Sequence, residues 1–433
     1  MHAKLSATEQ KARPTKVRWR IFLLMLMLIS INYIDRASLS VAMPLISKEF
    51  NLDPATQGLI LSCFFWTYAF MQIPGGMLAD RYKPRVVIAA ATLGWGFFQA
   101  IAAASTSAFI LILTRLGLGA TEAPIYPAGG KLNAMWMTPN ERARGATLLD
   151  GGAPLGTALG AILIAGLIAV FDSWRIAFVV AGLGTVACGA LTWWYIRNTP
   201  REHPGVNELE ARHVEEALAR EDEETALVPG SGRLRDFFRY RSVWCMCLGW
   251  MFLGIVFYGL LTWIPTYLFT VHGLDIKQLG GALFIMFFSG FVGELIGGQI
   301  ADMWRVRGGQ PNTIFRTLFG IASVIATISV FLVAYVRDPV VVVALLSSTM
   351  FFLRWCGMYW AVPSILGSRA RAGFLGGCMN LGSNIAGIGT PVIVGLIVQW
   401  TGSYYLALMF FALSGVGLLL CSLGIDYTKK IPV

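Results

Sequence analysis

The sequence contains little charge for its length, and this scarcity excludes several classes of protein. Only 13% of the 433 residues are Asp, Glu, Lys or Arg, about half the share that is usual in soluble domains, whereas 56% are apolar. A soluble enzyme of this size would need more polar surface, and a disordered or collagen-like chain would have fewer apolar residues. The composition therefore predicts a protein whose solvent is a lipid bilayer.

Residues that bind metals or form disulfides are also scarce. The four histidines lie outside the middle of any apolar segment, and the seven cysteines are scattered without a Cys-x-x-Cys pair. This pattern supports neither a zinc site nor a disulfide framework, and it argues against haem and against a proton relay built from histidine. We therefore expect no metal and no cofactor.

Twelve apolar segments are long enough to cross about 30 Å of hydrocarbon, which takes about 20 helical residues. We number them as spans one to twelve: 20–44, 56–80, 86–105, 108–130, 144–170, 174–196, 243–270, 277–302, 313–336, 339–363, 372–399 and 403–425. The first is too long for a signal peptide and has no cleavage site of small residues. The sequence therefore predicts an all-α membrane protein with twelve transmembrane helices.

The basic residues predict the orientation of these spans. With the N-terminus inside the cell, the inner loops and tails hold 26 Lys and Arg residues, and the outer loops hold four. This asymmetry predicts cytoplasmic N- and C-termini and an even number of spans. It also accounts for the net charge of +10 without nucleic acid as a partner.

The longest polar stretch, residues 197–242, divides the spans six and six. We predict an N-terminal six-helix bundle over 1–196, a cytoplasmic linker over 197–242 and a C-terminal six-helix bundle over 243–433. The part from Glu208 to Arg220 has the pattern of a short amphipathic surface helix. We interpret the linker as a solvated spacer between the bundles.

A motif repeated on either side of the linker indicates that the two halves share an origin. Residues 75–85 after span two read GGMLADRYKPR, and residues 297–307 after span eight read GGQIADMWRVR, at a constant offset of 222. Two six-helix halves related in this way form a parallel repeat. The glycines allow two helices to approach closely, and Asp80 with Arg81 can latch the cytoplasmic ends of the halves.

This motif resembles the signature of the major facilitator superfamily, G-x-x-A-D-R-x-x-x-R, and the resemblance extends over essentially the whole chain. It implies two pseudo-symmetric bundles and a cytoplasmic gate. The residues assigned to that gate are Gly76, Asp80, Arg81, Arg85 and Asp302.

Each ionisable side chain at the centre of a span raises the free energy of membrane insertion by about 2.5–3.5 kcal/mol, so we expect it to have a structural or functional role. Asp35 and Arg36 are rotated by about 100° on their helix, so one can face a ligand while the other faces another helix. Arg115 and Glu122 are seven residues apart and lie on one face, about 10 Å from each other. Arg115 has an alternative reading as a buried strut bonded to backbone carbonyls.

The remaining polar residues of the spans are harder to assign. Arg354 lies nine residues before a proline, as Arg115 does, so it is either a structural residue or a second anion contact. Asn380 and Asn384 can hold substrate hydroxyls, and Asn384 can equally bond between helices. Glu294 is also deep in a span, whereas Asp150 and Lys131 lie near predicted inner ends and can reach water.

Three further patterns resemble the anion:cation symporter branch of the superfamily, which includes bacterial galactonate, hexuronate and aldarate carriers. They are N-Y-x-D-R-x-x-L-S-V-A in span one, R-x-G-x-G-x-x-E-A-P in span four and T-W-x-P-x-Y-L in span seven. The resemblance implies that Asp35 and Glu122 carry protons, that Arg36 contacts a substrate carboxylate and that Arg115 couples to Glu122. It also implies substrate contacts from Tyr33, Tyr68, Trp360, Asn380 and Tyr258.

One stretch departs from the galactonate type. Residues 354–360 read RWCGMYW, where that type has small hydroxyl residues before the tryptophan. The departure argues against galactonate itself and leaves a dicarboxylate such as glucarate, or an aromatic acid, as alternatives.

These features together predict a monomeric proton-coupled symporter that imports a small organic anion, most simply a sugar acid, across a bacterial inner membrane by alternating access. Arginine offers a bidentate fork to a carboxylate, and a carboxylate at the same cavity can load and release the coupling proton. An anion exchanger or a uniporter of the same fold is the alternative. Paired arginines argue against a drug antiporter, and no catalytic motif supports an enzyme.

Overall fold

The computed structural model describes residues 14–138, 141, 145, 148–226, 234–367, 372–429 and 431, and this part of the chain is helical without strands. The side chains of Asp80 and Asp302 lie outside the described residues, so the latch predicted for Asp80 stays a prediction. We call the end of the helix bundle that lies away from the chain termini the outer end.

Twelve long helices occupy the predicted segments, and eleven of them are apolar and long enough to cross a membrane. Span two completes the set with 29 residues, a length of about 43 Å. The bounds are Val17–Glu49, Pro54–Tyr82, Pro84–Ala104, Ala108–Trp136, Leu148–Phe171, Trp174–Tyr195, Arg241–Thr270, Ile276–Val306, Pro311–Val333, Pro339–Ala361, Leu375–Thr401 and Tyr405–Gly424.

Polar side chains cap the N-termini of five of the helices that begin at the outer end. Asp53, Asp275 and Asp338 each accept hydrogen bonds from backbone N–H groups of the first turn of spans two, eight and ten. Ser107 and Ser173 do the same for spans four and six. These short polar residues satisfy N–H groups that have no partner within the helix, so each outer loop turns sharply into the next span.

Two spans are interrupted within their length. Span four consists of Ala108–Glu122 and Ile125–Trp136, which are separated at Pro124. Span ten changes from α-helix to a 3-10 helix over Arg354–Ala361. A proline cannot donate its backbone hydrogen bond, and irregular backbone inside a membrane is tolerated where it lines a cavity. Both interruptions lie next to the charged residues that the sequence singles out.

The two halves contact each other along spans five and eight, spans two and eleven, and spans one and seven. The outer contacts are close: the Ser62 hydroxyl donates to the carbonyl of Ile388 at 2.6 Å, and the amide of Ala55 donates to the side chain of Gln399 at 3.2 Å. A side chain at Gly280 would meet the Ala165 methyl at 2.5 Å. Span two is therefore sealed against span eleven at the outer end.

The repeated glycines play the packing role that the sequence predicts. A Cβ atom at Gly75 would lie 2.8 Å from the Cα atom of Pro124, and one at Gly297 would lie 3.1 Å from that of Trp355. Each glycine thus lets the second helix of its half approach the fourth. Gly76 is less restricted, because its nearest neighbour would be a carbon of Pro127 at 3.7 Å.

Arg85 of the predicted gate bonds within its own half. Its guanidinium donates two hydrogen bonds, of 3.0 and 2.8 Å, to the carbonyl of Trp193 and lies over that indole ring. Arg81 lies over the ring of its neighbour Tyr82. In this conformation Arg85 therefore ties span three to span six and does not join the halves.

The linker contains the expected amphipathic helix, which runs from Glu208 to Ala226, but the interpretation of the linker as a solvated spacer is wrong for this segment. The Glu210 carboxylate is fully buried and accepts hydrogen bonds from the Thr15 hydroxyl and from the backbone amides of Val17 and Arg18. It therefore caps the N-terminus of span one. A negative group is favoured there because the amides of a helix N-terminus carry partial positive charge.

Arg18 joins this cap to the loop between spans four and five. Its guanidinium donates to Glu210 at 2.8 Å and makes two hydrogen bonds, of 3.1 and 2.9 Å, with Glu141. Burial works against ionisation of Glu141, but the hydrogen bonds and the positive charge of Arg18, together with hydrogen bonds from Thr138, outweigh it and lower the pKa of this carboxyl. The linker helix is thus fastened to the N-terminal half.

Candidate functional site

A central cavity of about 710 Å³, including its open part, lies between the two halves. Every residue that the sequence assigns to substrate contact lines it: Tyr33, Arg36, Tyr68, Tyr258, Trp360 and Asn380. Arg354 and Asn384, whose roles the sequence left open, line it as well. The structure thus brings residues from spans one, two, seven, ten and eleven to one place. Their individual roles stay predictions.

Arg36 is the most tightly surrounded charge of the cavity. Its Nε donates to Glu122 Oε1 at 2.6 Å, and a terminal nitrogen makes an ion pair with the same oxygen. The carbon of its guanidinium lies 4.6 Å from the ring centres of Tyr33 and Tyr68 and 4.8 Å from that of Phe64. These ring faces stabilise the cation and hold its plane. Glu122 is fully buried behind it.

Asp35 points away from the cavity, as the rotation between it and Arg36 predicts. Its Oδ2 accepts hydrogen bonds from Trp95 Nε1 at 3.0 Å and from the Thr185 hydroxyl at 2.8 Å. Both donors belong to the N-terminal half, in spans three and six. Asp35 is therefore held inside this half, one helix face away from the pair of Arg36 and Glu122.

Arg115 has different partners from those that the sequence predicts. Its guanidinium donates to Gln99 Oε1 at 3.1 Å and contacts the backbone carbonyl of Asp35 at 3.5 Å. Spacing along span four relates Arg115 to Glu122, but span one packs beside them and brings Arg36 closer to Glu122. The Arg115–Glu122 pair is thus not present in this conformation. Arg115 instead matches the alternative of a strut bonded to a carbonyl.

A second charged cluster lies in the same cavity and joins the two halves. Arg354 donates two hydrogen bonds to Glu294 Oε2, of 2.6 Å from a terminal nitrogen and 3.2 Å from Nε. The Asp150 carboxylate, from span five of the other half, lies 3.8 Å from the same terminal nitrogen. We expected Asp150 to reach water at an inner end, but it lines the cavity. Glu294 carried a signal in the sequence, as a carboxylate deep in a span.

Amides and aromatic rings complete the cavity wall. The Asn380 side chain donates to Gln72 Oε1 at 3.4 Å, which makes a further polar contact between the halves. Trp360 packs edge-on against Trp250 with ring centres 5.5 Å apart. Tyr258 packs in the same way against Phe65 of the other half, at 4.7 Å. Ser383, on the same face of span eleven as Asn380 and Asn384, lines the cavity as well. The sequence analysis missed three aromatic lining residues, because aromatic residues of a span carry no signal of their own: Tyr126, Trp250 and Phe257.

Comparison with known proteins identifies this architecture. A family model described as Major Facilitator Superfamily matches residues 25–372. The chain is 28% identical to a probable galactarate/D-glucarate transporter of Bacillus subtilis, over 97% of this chain and 94% of that protein. It is 32% identical to a probable sulfoacetate transporter of Cupriavidus necator, over 93% of each.

Two further similarities agree with this. A probable L-galactonate transporter of Escherichia coli is 29% identical, over 93% of this chain and 87% of that protein. Among solved structures, a bacterial homologue of the human lysosomal transporter Spinster, in an inward-facing and unoccupied conformation, superposes with a TM-score of 0.72. That structure is 19% identical in sequence, and the match covers 95% of each chain. The chain therefore belongs to the Major Facilitator Superfamily and is a multi-pass membrane transporter, not an enzyme.

Proposed function

We propose that this protein is a proton-coupled symporter that imports a small organic anion, a sugar acid, across the bacterial inner membrane. The observation that carries the proposal is the pair of Arg36 and Glu122 at the cavity wall. A guanidinium binds carboxylates, and here its partner is itself a carboxyl group that can be protonated. The relatives named for galactarate, glucarate and galactonate support a sugar acid as the substrate.

The mechanism follows from competition for one guanidinium. Protonation of Glu122 removes its charge and frees Arg36 for the carboxylate of the substrate. Loss of the proton on the cytoplasmic side restores the pair of Arg36 and Glu122 and expels the anion. Asp35 serves as a second proton site within the same half, and Arg115 contacts its backbone carbonyl.

The membrane potential adds to the driving force whenever more protons than substrate charges move inward. Two protons with one monoanion carry a net positive charge, worth about 2.3 kcal/mol per 100 mV, whereas two protons with a dianion carry none. Alternating access requires the outer contacts between spans two and eleven to open and close around the cavity. The two halves of one chain enclose the cavity, so we propose a functional monomer, with cytoplasmic termini and no cofactor besides protons.

A small sulfonate is the second candidate substrate. The relative that is 32% identical is named for sulfoacetate. A sulfonate offers a guanidinium the same anionic oxygens as a carboxylate.

Uptake into proteoliposomes tests the proposal. An inward proton gradient is imposed, and labelled galactonate, glucuronate, glucarate, sulfoacetate or benzoate is offered to the wild type and to Glu122→Gln. We expect gradient-driven accumulation of a sugar acid or sulfoacetate by the wild type. We expect Glu122→Gln to lose accumulation but to retain exchange, because its neutral side chain no longer needs a proton to release Arg36.

The matched control is Glu49→Gln, which breaks another arginine–glutamate pair, with Arg175 at the outer surface. This variant should accumulate substrate as the wild type does. Undiminished gradient-driven accumulation by Glu122→Gln would overturn the assignment of Glu122, and uptake that ignores the gradient in the wild type would mean a uniporter or an exchanger.

A further inference from the structure

Two arginines from opposite halves of the protein line the same cavity. Arg36 belongs to span one of the N-terminal half, and Arg354 belongs to span ten of the C-terminal half. Both guanidinium groups are almost completely buried. Buried arginines in a membrane protein need an anionic partner, and each of these has one within the protein.

The partners of the two arginines are arranged alike. Glu122 accepts a hydrogen bond from Nε of Arg36, and Glu294 accepts one from Nε of Arg354. In each case a carboxylate of the same half occupies an edge of the guanidinium that a substrate carboxylate would also use. Each pair therefore has the geometry of an anion site that is filled by the protein itself.

The Arg354 pair is more accessible than a structural ion pair needs to be. The side chains of Glu294 and Asp150 are 22% and 29% exposed, whereas that of Glu122 is not exposed at all. A Cβ atom at Gly357 would lie 2.8 Å from Glu294 Oε1, so the protein wall behind this carboxylate is already full. Arg354 and Asp150 line the central cavity, so a ligand in the cavity can reach this guanidinium.

The cluster contains two carboxyl groups for one guanidinium. Glu294 bonds to Arg354 at 2.6 Å, whereas Asp150 lies 3.8 Å from the same nitrogen, and the other arginine of the described cavity lining, Arg36, is paired with Glu122. Asp150 reaches the cluster from the other half of the protein. An incoming anion that took Arg354 would displace Glu294 and would loosen this contact between the halves.

We propose that the transported substrate is a dianion whose two anionic ends are held by Arg36 and by Arg354, one in each half of the protein. The proposal rests on the transport function proposed above and specifies the substrate class. A monoanion releases one arginine from its internal carboxylate and leaves the other pair closed. A dianion releases both arginines from their internal carboxylates, so its binding opens one ion pair in each half.

The test compares compounds that differ only at one end. Galactarate and galactonate share one carbon chain, and only galactarate has a carboxylate at both ends. Sulfoacetate and methanesulfonate form a second pair for a shorter substrate. For each compound, two quantities are measured: inhibition of counterflow in proteoliposomes, and the shift in melting temperature of the purified protein. For at least one pair we expect the wild type to prefer the dianion by tenfold or more.

Arg354→Gln should reduce that preference to about twofold or less, because the second end of the dianion loses its partner. Arg354→Gln alone leaves two carboxylates facing each other, so the double variant Arg354→Gln/Glu294→Gln is made as well, and it should lose the preference in the same way. Arg175→Gln, which breaks an arginine–glutamate pair at the outer surface, is the matched control and should keep the tenfold ratio.

Two outcomes would overturn the inference in distinguishable ways. If the monoanions bind and compete as well as the dianions in the wild type, or if the preference survives in the double variant, the dianion proposal is wrong and the proposed transport function stands. If none of the four compounds competes or shifts the melting temperature but glucuronate or benzoate accumulates in the uptake test, only the dianion proposal is wrong. If no acid of either test binds or accumulates, the transport function proposed above fails, and the dianion proposal fails with it.

Discussion

Three aromatic rings hold the guanidinium of Arg36 in a fixed position at the cavity wall. Tyr33, Phe64 and Tyr68 hold the guanidinium from three sides, at 4.6–4.8 Å from their ring centres. A freely rotating arginine would lose conformational entropy each time it exchanged one carboxylate for another. The rings keep the cation in place, so the exchange between Glu122 and the substrate requires only a change of anion.

The substitution Phe64→Leu tests this task. It removes one ring face and keeps an apolar side chain of similar size. A cation–π contact is worth about 0.5–2 kcal/mol, so we expect KM for the transported acid to rise by about 2- to 30-fold with little change in the amount of folded protein. Initial rates of uptake at varied substrate concentration measure it.

Phe97→Leu is the control, because that ring is more than half exposed on the membrane-facing surface. It should leave KM unchanged. If Phe64→Leu gave the same KM as the wild type, the rings would be packing residues without a part in anion binding.

The charged residues themselves could be predicted from the sequence, but their pairing could not. An ionisable residue inside an apolar span is conspicuous, and the repeat distance of a helix gives the face on which it lies. The partner of Glu122 depends instead on how span one packs against span four, and no spacing within one helix contains that information. Asp150 was underestimated for a related reason, since its distance from the predicted end of span five did not reveal its contact with Arg354.

At the scale of elements, the linker helix is the feature that hydropathy could not anticipate. Glu210 is one of several glutamates in a polar segment, and nothing in its local sequence distinguishes it from those that face water. The structure distinguishes it through burial and four donors in Thr15, Val17 and Arg18. The span boundaries, in contrast, were predicted to within several residues, because each apolar run must end where lipid ends.

The substitution Glu210→Ala tests the importance of this cap. It leaves two amides and a guanidinium without their buried acceptor, and losing hydrogen bonds to a charged group costs about 1–3 kcal/mol. We expect a lower melting temperature for the purified protein, measured by thermal unfolding in detergent. Initial transport rates of the protein that remains folded should change much less.

Glu216→Ala, on the exposed side of the same helix, is the matched control. Glu216 makes only a long surface ion pair with Arg220, at 4.0 Å, and such pairs contribute little. Equal melting temperatures for the two variants would show that the cap of span one does not depend on the linker helix.

At the scale of the whole molecule, the outer seal between spans two and eleven separates the cavity from the outer side. Alternating access requires this seal to open once in each transport cycle. The backbone amide of Ala55 donates to the end of the Gln399 side chain across it, so a short reagent that reacts with two thiols can span cysteines at these two positions.

We expect the pair Ala55→Cys and Gln399→Cys, in a background without the native cysteines, to lose uptake after treatment with a short bis-methanethiosulfonate cross-linker and to regain it with a reductant. Each single-cysteine variant is a control and should keep its uptake under the same treatment. Full uptake by the cross-linked pair, once the cross-link is shown to be complete, would mean that spans two and eleven do not separate during transport.

The two polar contacts near the inner side of the cavity occupy equivalent places in the repeat but differ in chemistry. Gln72 and Glu294 are related by the offset of 222 residues, and each reaches the opposite half, where Gln72 meets Asn380 and Glu294 lies beside Asp150. The first contact is a neutral amide pair, which protons and anions barely affect. The second contact contains ionisable groups, and the binding of a proton or of an anion can change how they pair. We therefore expect the contact between Glu294 and Asp150 to open when a proton or an anion binds, while the amide contact between Gln72 and Asn380 stays closed and acts as the hinge.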